Sequence, residues 1–430
     1  MPPTLSVVEP AKTDEQKLMG MTLDELAREG ARRMLHVALE VEVEAYLQKH
    51  ALERDEHGHA LVVRNGTARP RNVTVGSGTI EVEAPRVNDR RVDEDGERQR
   101  FISEILPPYM RKSPKVAEVL PVLYLRGLST SDFQHALPIL LGEAASGLSP
   151  SAITRLTGAW TAEYETFRKG DLSDRDYIYV WADGVHFRIR LEEDRLCTLV
   201  LIGVRPDGTK ELIAVEDGYR ESTESWSTVL RDLKRRGMRA PMLAVGDGAL
   251  GFWAAVRDVW PETQEQRCWI HRLVNILDKL PKRLQPRAKK AFYEIMNAPT
   301  RKDALVAVEA FKLEFGPKYP KAETTLMTDL ESLLAFFDYP AEHWKHIRTT
   351  NPIESTFATV RLRQRVTKGA GSRQKGLTMA YKLLDMAQAH WRRIDGSALV
   401  PLVRAGVEFK DGIRVERPPE PEPEKELMAA

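Results

Sequence analysis

The stretch Tyr177–Arg190, YIYVWADGVHFRIR, constrains this chain more than any other. Its aromatic and β-branched residues run together ahead of Asp183 and spell a strand buried on both faces. Such a strand exists only within a sheet covered by helices, and this one delivers a single acid, Asp183, to its end. A second apolar strand, Pro241–Gly246, runs into Asp247-Gly248 and then a helix from about Leu250 to Trp260. In both places the glycine after the acid lets the backbone turn away and leaves the carboxylate in the open. Asp-Gly is also an ordinary turn dipeptide, and the chain carries it at Asp95, Asp207, Asp217, Asp395 and Asp411 as well. What singles out Asp183 and Asp247 is therefore their place in apolar runs whose flanks do not read as surface loops.

The segments around these strands set the fold class. Leu196–Val204 is an unbroken apolar strand, Arg205–Gly208 a tight turn and Glu211–Val215 the returning strand. A helix follows over Glu224–Arg236, ending at Gly237, and Gln264–Trp269 gives a fifth strand after the Leu250–Trp260 helix. Three antiparallel strands followed by parallel strands joined through helices is the order that a ribonuclease-H-like sheet needs. Beyond His271 the pattern is helical: Pro286–Asn297, Arg301–Phe315, Tyr319–Phe337, and a last helix from about Gly376 to Arg393. The expected fold is thus α/β. A ribonuclease-H-like core over 173–280 and 346–400 is interrupted by an all-helical insertion at 281–345.

Upstream, residues 1–20 are polar, proline-bearing and expected to be loose. Met21–His50 has helical apolar spacing and a capping box, Thr22 with Glu25. It reads as an amphipathic helix pair with dimer contact as one use. Alternation at Val73, Val75, Ile80 and Val82 around Gly76-Ser77-Gly78 predicts a β-hairpin. Arg64, Arg69 and Arg71 there suit either a phosphate contact or a solvated hairpin. These elements form a mainly helical N-terminal region, 21–110. Between 111 and 172, Ser113-Pro114, GLST at 127–130 and GLSP at 147–150 punctuate three short helices. That rhythm fits a helix-turn-helix-like DNA-binding region whose third helix presents Ser151, Thr154 and Arg155; it equally fits a plain helical bundle. The stretch 401–430 ends in ERPPEPEPEKELMAA and reads as a disordered acidic tail.

The net charge of +1 conceals strong local asymmetry. Lys345–Arg393 holds eleven Lys/Arg against two Asp/Glu, and Gln264–Lys302 holds ten against three. Clustered bases of this kind suit a phosphate backbone. The best placed for phosphate contacts are Arg155, Arg348, Arg361, Arg363, Arg365, Lys368, Arg373 and Lys375; a solvated helix face is the plainer use of the same residues. Two cysteines, Cys197 and Cys268, exclude a disulfide framework and point to a reducing compartment. No signal peptide and no run of about 20 apolar residues is present, so the expectation is a cytoplasmic protein with no membrane partner.

Separated acids at strand ends are what phosphodiester chemistry requires. Two divalent ions, roughly 3.5–4 Å apart, activate the attacking oxygen and hold the leaving one. Mg²⁺ takes hard oxygen ligands, so a few carboxylates on a rigid frame suffice. A third acid stands in Asn351-Pro352-Ile353-Glu354. With Asn as N-cap, Pro at N1 and Glu at N3, this is capping-box geometry. The same position on a first helical turn also lets Glu354 ligate a metal, and the bases around it favour that use. Trp344 suits core packing or stacking on an unpaired base, and His186 and His346 lie near enough in sequence to neighbour the site.

The run HWKHIRTTNPIESTFATVRLRQRVTKGAGS, together with ADG at Asp183 and GDG at Asp247, resembles the mutator family of bacterial insertion-sequence transposases. Cys268-Trp269-Ile270-His271 matches the family's Cys-two-residues-His motif after the second Asp. The resemblance spans about residues 20–395 and shows no departure at the acidic positions. It implies a DDE-type enzyme on a ribonuclease-H-like core, with Asp183, Asp247 and Glu354 as catalytic, metal-binding triad. It also implies a helical insertion between the second Asp and the Glu, whose separation of 107 residues exceeds the 64 between the two Asp. Cys268 and His271 become active-site supports; with no second Cys nearby, a structural zinc site lacks its ligands. Implied cofactors are two Mg²⁺, with Mn²⁺ as substitute. Implied partners are double-stranded DNA, as terminal inverted repeats and target, and further copies of the chain. The expected location is the bacterial cytoplasm, at the nucleoid. A hydrolytic nuclease or junction resolvase on the same fold, and a non-catalytic transposase-derived DNA-binding regulator, are the rival readings.

Overall fold

A computed structural model describes residues 20–416 apart from 94, 127, 129, 142–148, 188–195, 219, 249 and 368–371. The chain divides into two compact units, Met1–Leu156 and Thr157–Ala430.

In the first unit, α1 (Leu23–Lys49) is one 27-residue helix rather than a helix pair. No Gly-Pro or Asn-Gly break interrupts it, and Gly30 alone does not stop a helix. Its capping box forms as expected, Thr22 accepting from Glu25 N–H and Glu25 accepting from Thr22 N–H at 2.8 Å. One face packs Leu39 against the hairpin β2 (Arg71–Val75) and β3 (Gly78–Val82), through Val73, Ile80 and Val82. The opposite face leaves Leu23, Met34, Val37 and Val41 more than 60% exposed. The flanking strands β1 (Val62–Thr67) and β4 (Pro85–Asp89) pair with each other. Arg71 donates to the carbonyls of Leu106 and Pro107, and Arg64 pairs with Glu40, so the hairpin's arginines serve the fold; Arg69 is exposed. Then come α2 (Pro114–Leu125) and α3 (Thr130–Leu141), which pack Val116 and Leu120 on Phe133 and Leu137. The expected helix signals at Gly127, Ser129 and Gly147 lie outside the described residues. Ser149 Oγ accepts from Ala152 N–H and caps α4 (Pro150–Lys169), which is 20 residues long and contains the boundary between units.

The second unit is built on a five-stranded sheet in the order β7-β6-β5-β8-β9. Its strands are β5 (Tyr179–Phe187), β6 (Leu196–Val204), β7 (Lys210–Gly218), β8 (Leu243–Gly246) and β9 (Gln264–Arg267). β5, β6 and β7 are antiparallel neighbours, while β8 and β9 add in parallel. Between them run α5 (Thr223–Arg235) and α6 (Leu250–Val259), whose Trp226, Leu230, Phe252, Trp253 and Val256 cover one face. The order of antiparallel and parallel strands is the one expected. Asp183, however, is not at the end of β5. Ala182 is opposite Gly246, where β8 stops, but β5 stays paired to the longer β6 through Phe187. Residues 188–190 of the expected strand lie outside the described residues.

Helices α7 (Trp269–Leu277), α8 (Gln285–Met296) and α9 (Arg301–Phe315) follow. The expected helix over Tyr319–Phe337 is instead broken into α10 (Pro320–Thr328), α11 (Leu330–Leu334) and a 3₁₀ turn. The break is at Asp329, whose non-helical backbone turns its carboxylate onto Arg267 and Arg272. Two longer helices close the unit, α12 (Asn351–Thr367) and α13 (Arg373–Gln388). Trp181 Nε1 donates to His346 O, tying the second face of the sheet to the segment ahead of α12. Order continues past 400, contrary to the expected disorder from 401. Val400–Arg404 is helical, Arg404 pairs with Asp176, and Phe409–Lys410 forms a hairpin with Ile413–Arg414 across the Asp411-Gly412 turn. The acidic run from 417 lies outside the described residues.

Candidate active site

The site forms where the parallel strands end. Asp183 and Asp247 are each one residue beyond the paired Ala182 and Gly246 of neighbouring strands, so the register alone sets them side by side. The Asp247 carbonyl accepts from Trp253 Nε1 at 2.9 Å and Arg267 Nη1 at 2.6 Å, which fixes the backbone that carries its carboxylate. Glu354 enters from the first turn of α12, which packs on β5.

The expected capping box at Asn351 does not form. The helix starts at Asn351, one residue early, so Thr350 takes the capping place and Glu354 falls at the fourth helical position. The Thr350 N–H goes to Cys268 Sγ at 3.4 Å rather than to Glu354, and the Thr350 hydroxyl donates to Glu354 Oε1. Glu354 is thereby held by a side chain instead of serving the helix end.

A fourth carboxylate, Glu221, arrives from the junction of β7 and α5. A Cβ on Gly184 would stand 2.3 Å from Glu221 Oε1, so the glycine of the Asp183-Gly184 pair makes room for an incoming carboxylate. Nothing in the local sequence Arg220-Glu221-Ser222 marked this residue; only the link that leaves β7, one strand removed from β5, brings it here. His186 Nε2 stands 3.4 Å from Glu221 Oε1.

The charges of these acids oppose one another. Burial, then the charges of Asp247 and Glu221 and lastly Glu354, push Asp183 up to about 7, while its own neighbour's N–H, Gly184 at 2.8 Å, pulls the other way. Burial and Asp247 raise Glu221 as well. On the far side of Glu354, a hydrogen bond to Cys268 raises His271 to about 9, aided by Glu354 and Asp247. Burial opposes ionisation of Cys268, yet hydrogen bonds from His271 and Thr350 hold its thiol below the ordinary range. Cys268 and His271 thus stand beside Glu354, with ligand atoms of all three within 4.8 Å of one another. His186, Cys197 and Glu221 form a second such group, in which His186 and Cys197 are cross-strand partners. Burial holds the Cys197 thiol up at about 12, which disfavours the thiolate a metal needs. The Asp183, Asp247 and Glu354 set, by contrast, is hard oxygen donors whose mutual repulsion a divalent cation would relieve, though among the described residues their carboxylate oxygens do not all come within 4.8 Å of one another.

The basic candidates separate into two groups. Arg155, Arg361, Arg365 and Lys375 are exposed. Arg348 instead donates to Met296 O at 2.6 Å and Asn297 Oδ1 at 3.3 Å and lies over the Phe336 ring, and Arg363 is only 4% exposed. Both are turned inward, Arg348 onto the carbonyl at the end of α8 and Arg363 from a helix packed on β5. Arg373 pairs with Asp217, and Lys368 lies outside the described residues. Trp344 donates to Tyr339 O and packs on Phe336 and Phe337, and His346 turns to Asp395. Neither reaches the acids.

Three comparisons bear on this geometry. A family profile described as "Transposase, Mutator family" matches residues 6–393. The transposase for insertion sequence element IS6120 of Mycolicibacterium smegmatis is 59% identical over 303 residues, covering 70% of this chain and 94% of the relative. The transposase for insertion sequence element IST2 of Acidithiobacillus ferrooxidans is 48% identical over 288 residues, 65% of this chain and 95% of the relative. Among solved structures, the Drosophila P element transposase strand transfer complex aligns over 73% of this chain and 87% of that chain, at 12% identity and a TM-score of 0.26, too low to bear on the fold.

Proposed function

This chain belongs to the Mutator family of transposases, and on that premise we propose that it is a DDE-type insertion-sequence transposase acting on DNA through Asp183, Asp247 and Glu354. It cuts at the element's terminal inverted repeats and joins the freed 3′ ends to target DNA. The observation that carries this reading is the crowding of like charge on Asp183, whose carboxyl is pushed up to about 7 by burial and by Asp247, Glu221 and Glu354. A fold gains nothing from such crowding, so its use is to receive cations. The order of three antiparallel and two parallel strands supports a ribonuclease-H-like core.

Two divalent cations, Mg²⁺ or Mn²⁺, supply an activated attacking oxygen and a neutralised leaving oxygen when bound. The chain's part is placement. Asp183 and Asp247 are carried by adjacent strands, and Glu354 by a helix packed on one of them, the kind of rigid frame that in-line attack demands. Hydrolysis breaks one P–O bond and leaves a 3′-hydroxyl. That oxygen then attacks a target phosphodiester, forming one P–O bond as another breaks, so no outside energy source is required. Arg155, Arg361, Arg365 and Lys375 offer exposed charge for the backbone phosphates. Two ends must meet, and the exposed stripe on α1 offers an apolar face for pairing copies of the chain.

The test is a joining assay with a 3′-hydroxyl oligonucleotide bearing the element's end and a labelled target. Metal-dependent joining is expected. Hydrolysis without joining would mark a nuclease, and neither activity would mark a DNA-binding regulator.

A further inference from the structure

We propose that Thr350 is the positioning residue for Glu354, and that Cys268 anchors it to the strand that carries Asp247. This rests on Glu354 being a ligand for the divalent cations.

Glutamate on a first helical turn has three free torsions, and ordering such a side chain costs rotamer entropy. That cost falls on metal binding unless the fold has already met it. Thr350 is placed to meet it. It is wholly buried, its β-branched side chain is stiff, and its carbonyl accepts from Ile353 and Glu354 N–H at 3.0 Å each. Its single hydroxyl hydrogen has two acceptors in reach, Cys268 Sγ at 3.2 Å and the nearer Glu354 Oε1. The carboxylate is the stronger acceptor and takes it. The sulfur keeps the Thr350 backbone N–H at 3.4 Å.

Cys268 is itself fixed, since its N–H donates to Gly246 O at 2.8 Å, one residue before Asp247. A continuous chain of hydrogen bonds therefore runs from the Asp247 strand through Cys268 and Thr350 to Glu354, two acids that lie 107 residues apart in sequence. His271 flanks the same hydroxyl at 3.3 Å and Glu354 Oε1 at 3.8 Å. The Cys-two-residues-His pair thus works behind the acids, shaping where one of them points.

The test is Mn²⁺ titration of the DNA-free full chain, read by the loss of the free-ion electron paramagnetic resonance signal, alongside strand transfer at varied Mg²⁺. Thr350→Val keeps the shape and removes the hydroxyl. It is expected to weaken Mn²⁺ binding about tenfold. The Mg²⁺ needed for half-maximal joining should rise by a similar factor, with activity largely regained at saturating metal. Thr350→Ser restores both. Wild-type Mn²⁺ affinity in Thr350→Val would overturn the inference. Should Thr350→Val fail to fold, Cys268→Ala takes its place, with a smaller loss in the same direction expected and an unchanged affinity contradicting the anchor. Glu354→Gln separates the premises. If it leaves Mn²⁺ affinity intact, the ligand assignment fails; if it weakens binding while Thr350→Val does not, only the positioning role fails.

Discussion

Asp89 in the first unit and Asp183 in the second are both largely withdrawn from water, and the two units treat them in opposite ways. Asp89 is 4% exposed and accepts hydrogen bonds from Arg91 Nε, Nη2 and N–H and from the Tyr46 hydroxyl. The Arg91 side chain foremost holds it at about 2. Asp183 meets carboxylates where Asp89 meets donors, and it rises to about 7. Burial raises both and leads at Asp183, where neighbouring carboxylates add to it, whereas at Asp89 the Arg91 side chain outweighs it. One carboxylate stabilises its unit at neutral pH; the other is a charge stored at a cost until a cation arrives.

The largest expected effect is on chemistry. Asp183→Ala, Asp247→Ala and Glu354→Ala should each lower cleavage and joining by at least about a thousandfold, the several kcal/mol that a metal-held charge supplies. Binding to a labelled element end should stay within about twofold, checked by gel shift. A single variant with normal joining would break the assignment of that acid.

Stability comes next, and here the two carboxylates should part in sign. Asp89→Asn removes the charge closest to Arg91, leaving it Glu53 at 3.6 Å, and should destabilise the first unit by about 1–3 kcal/mol. Asp183→Asn removes a repelled charge and should stabilise the second unit by about 1–3 kcal/mol near pH 8 in chelator. All eight tryptophans lie between 160 and 391, so their fluorescence in urea follows the second unit alone. Amide hydrogen exchange follows the first. Equal signs for the two substitutions would collapse the comparison.

The pH dependence follows from the same shifts. Asp183 is raised, so the folded state holds its proton more tightly; the stability it lends is present below its ordinary value of 3.8 and lost as pH rises through about 7. Asp89 is depressed, so its contribution is present above 3.8 and lost as pH falls toward about 2. Metal-free protein should therefore lose stability in the second unit between about pH 4 and 8, and added Mg²⁺ should raise the melting temperature more at pH 8 than at pH 6. Ligand at a hundred times its Kd supplies about 2.7 kcal/mol. A Mg²⁺ effect independent of pH would contradict the stored charge.

The smallest effects distinguish exposed from inward-facing bases. Arg361→Ala or Lys375→Ala should weaken DNA binding alike for all sequences and reduce the salt slope by about one each. Arg348→Ala should leave the slope unchanged and lower stability, because its guanidinium serves the Met296 carbonyl.

Much of this was legible before any coordinates. Apolar runs at 196–204 and 241–246 and the turn at Arg205–Gly208 fixed the order of strands, because strands buried on both faces leave a continuous hydrophobic signature. Asp183 and Asp247 stood out for the same reason. What escaped was set by contacts between distant segments. Glu221 carries no local mark, and its place depends on a glycine 37 residues earlier. The N-terminal box of α12 looked complete, but Thr349 Oγ1 takes the Asn351 N–H and the Thr350 carbonyl takes the Glu354 N–H that it needed. Asp329 breaks a helix because two arginines, 57 and 62 residues back, draw its carboxylate in. Arg348 and Arg363 read as surface charge, since sequence gives the number of bases in a segment but not which of them turns inward.

The most direct measurement is anomalous scattering from Mn²⁺ in crystals of the full chain bound to DNA carrying the element's 3′-hydroxyl end. Manganese peaks bounded by carboxylate oxygens of Asp183, Asp247 and Glu354 and by the scissile phosphate are the expected result. Peaks confined to the His186–Cys197–Glu221 or Cys268–His271 groups, with the three acids too far apart to share an ion while DNA is bound, would contradict it.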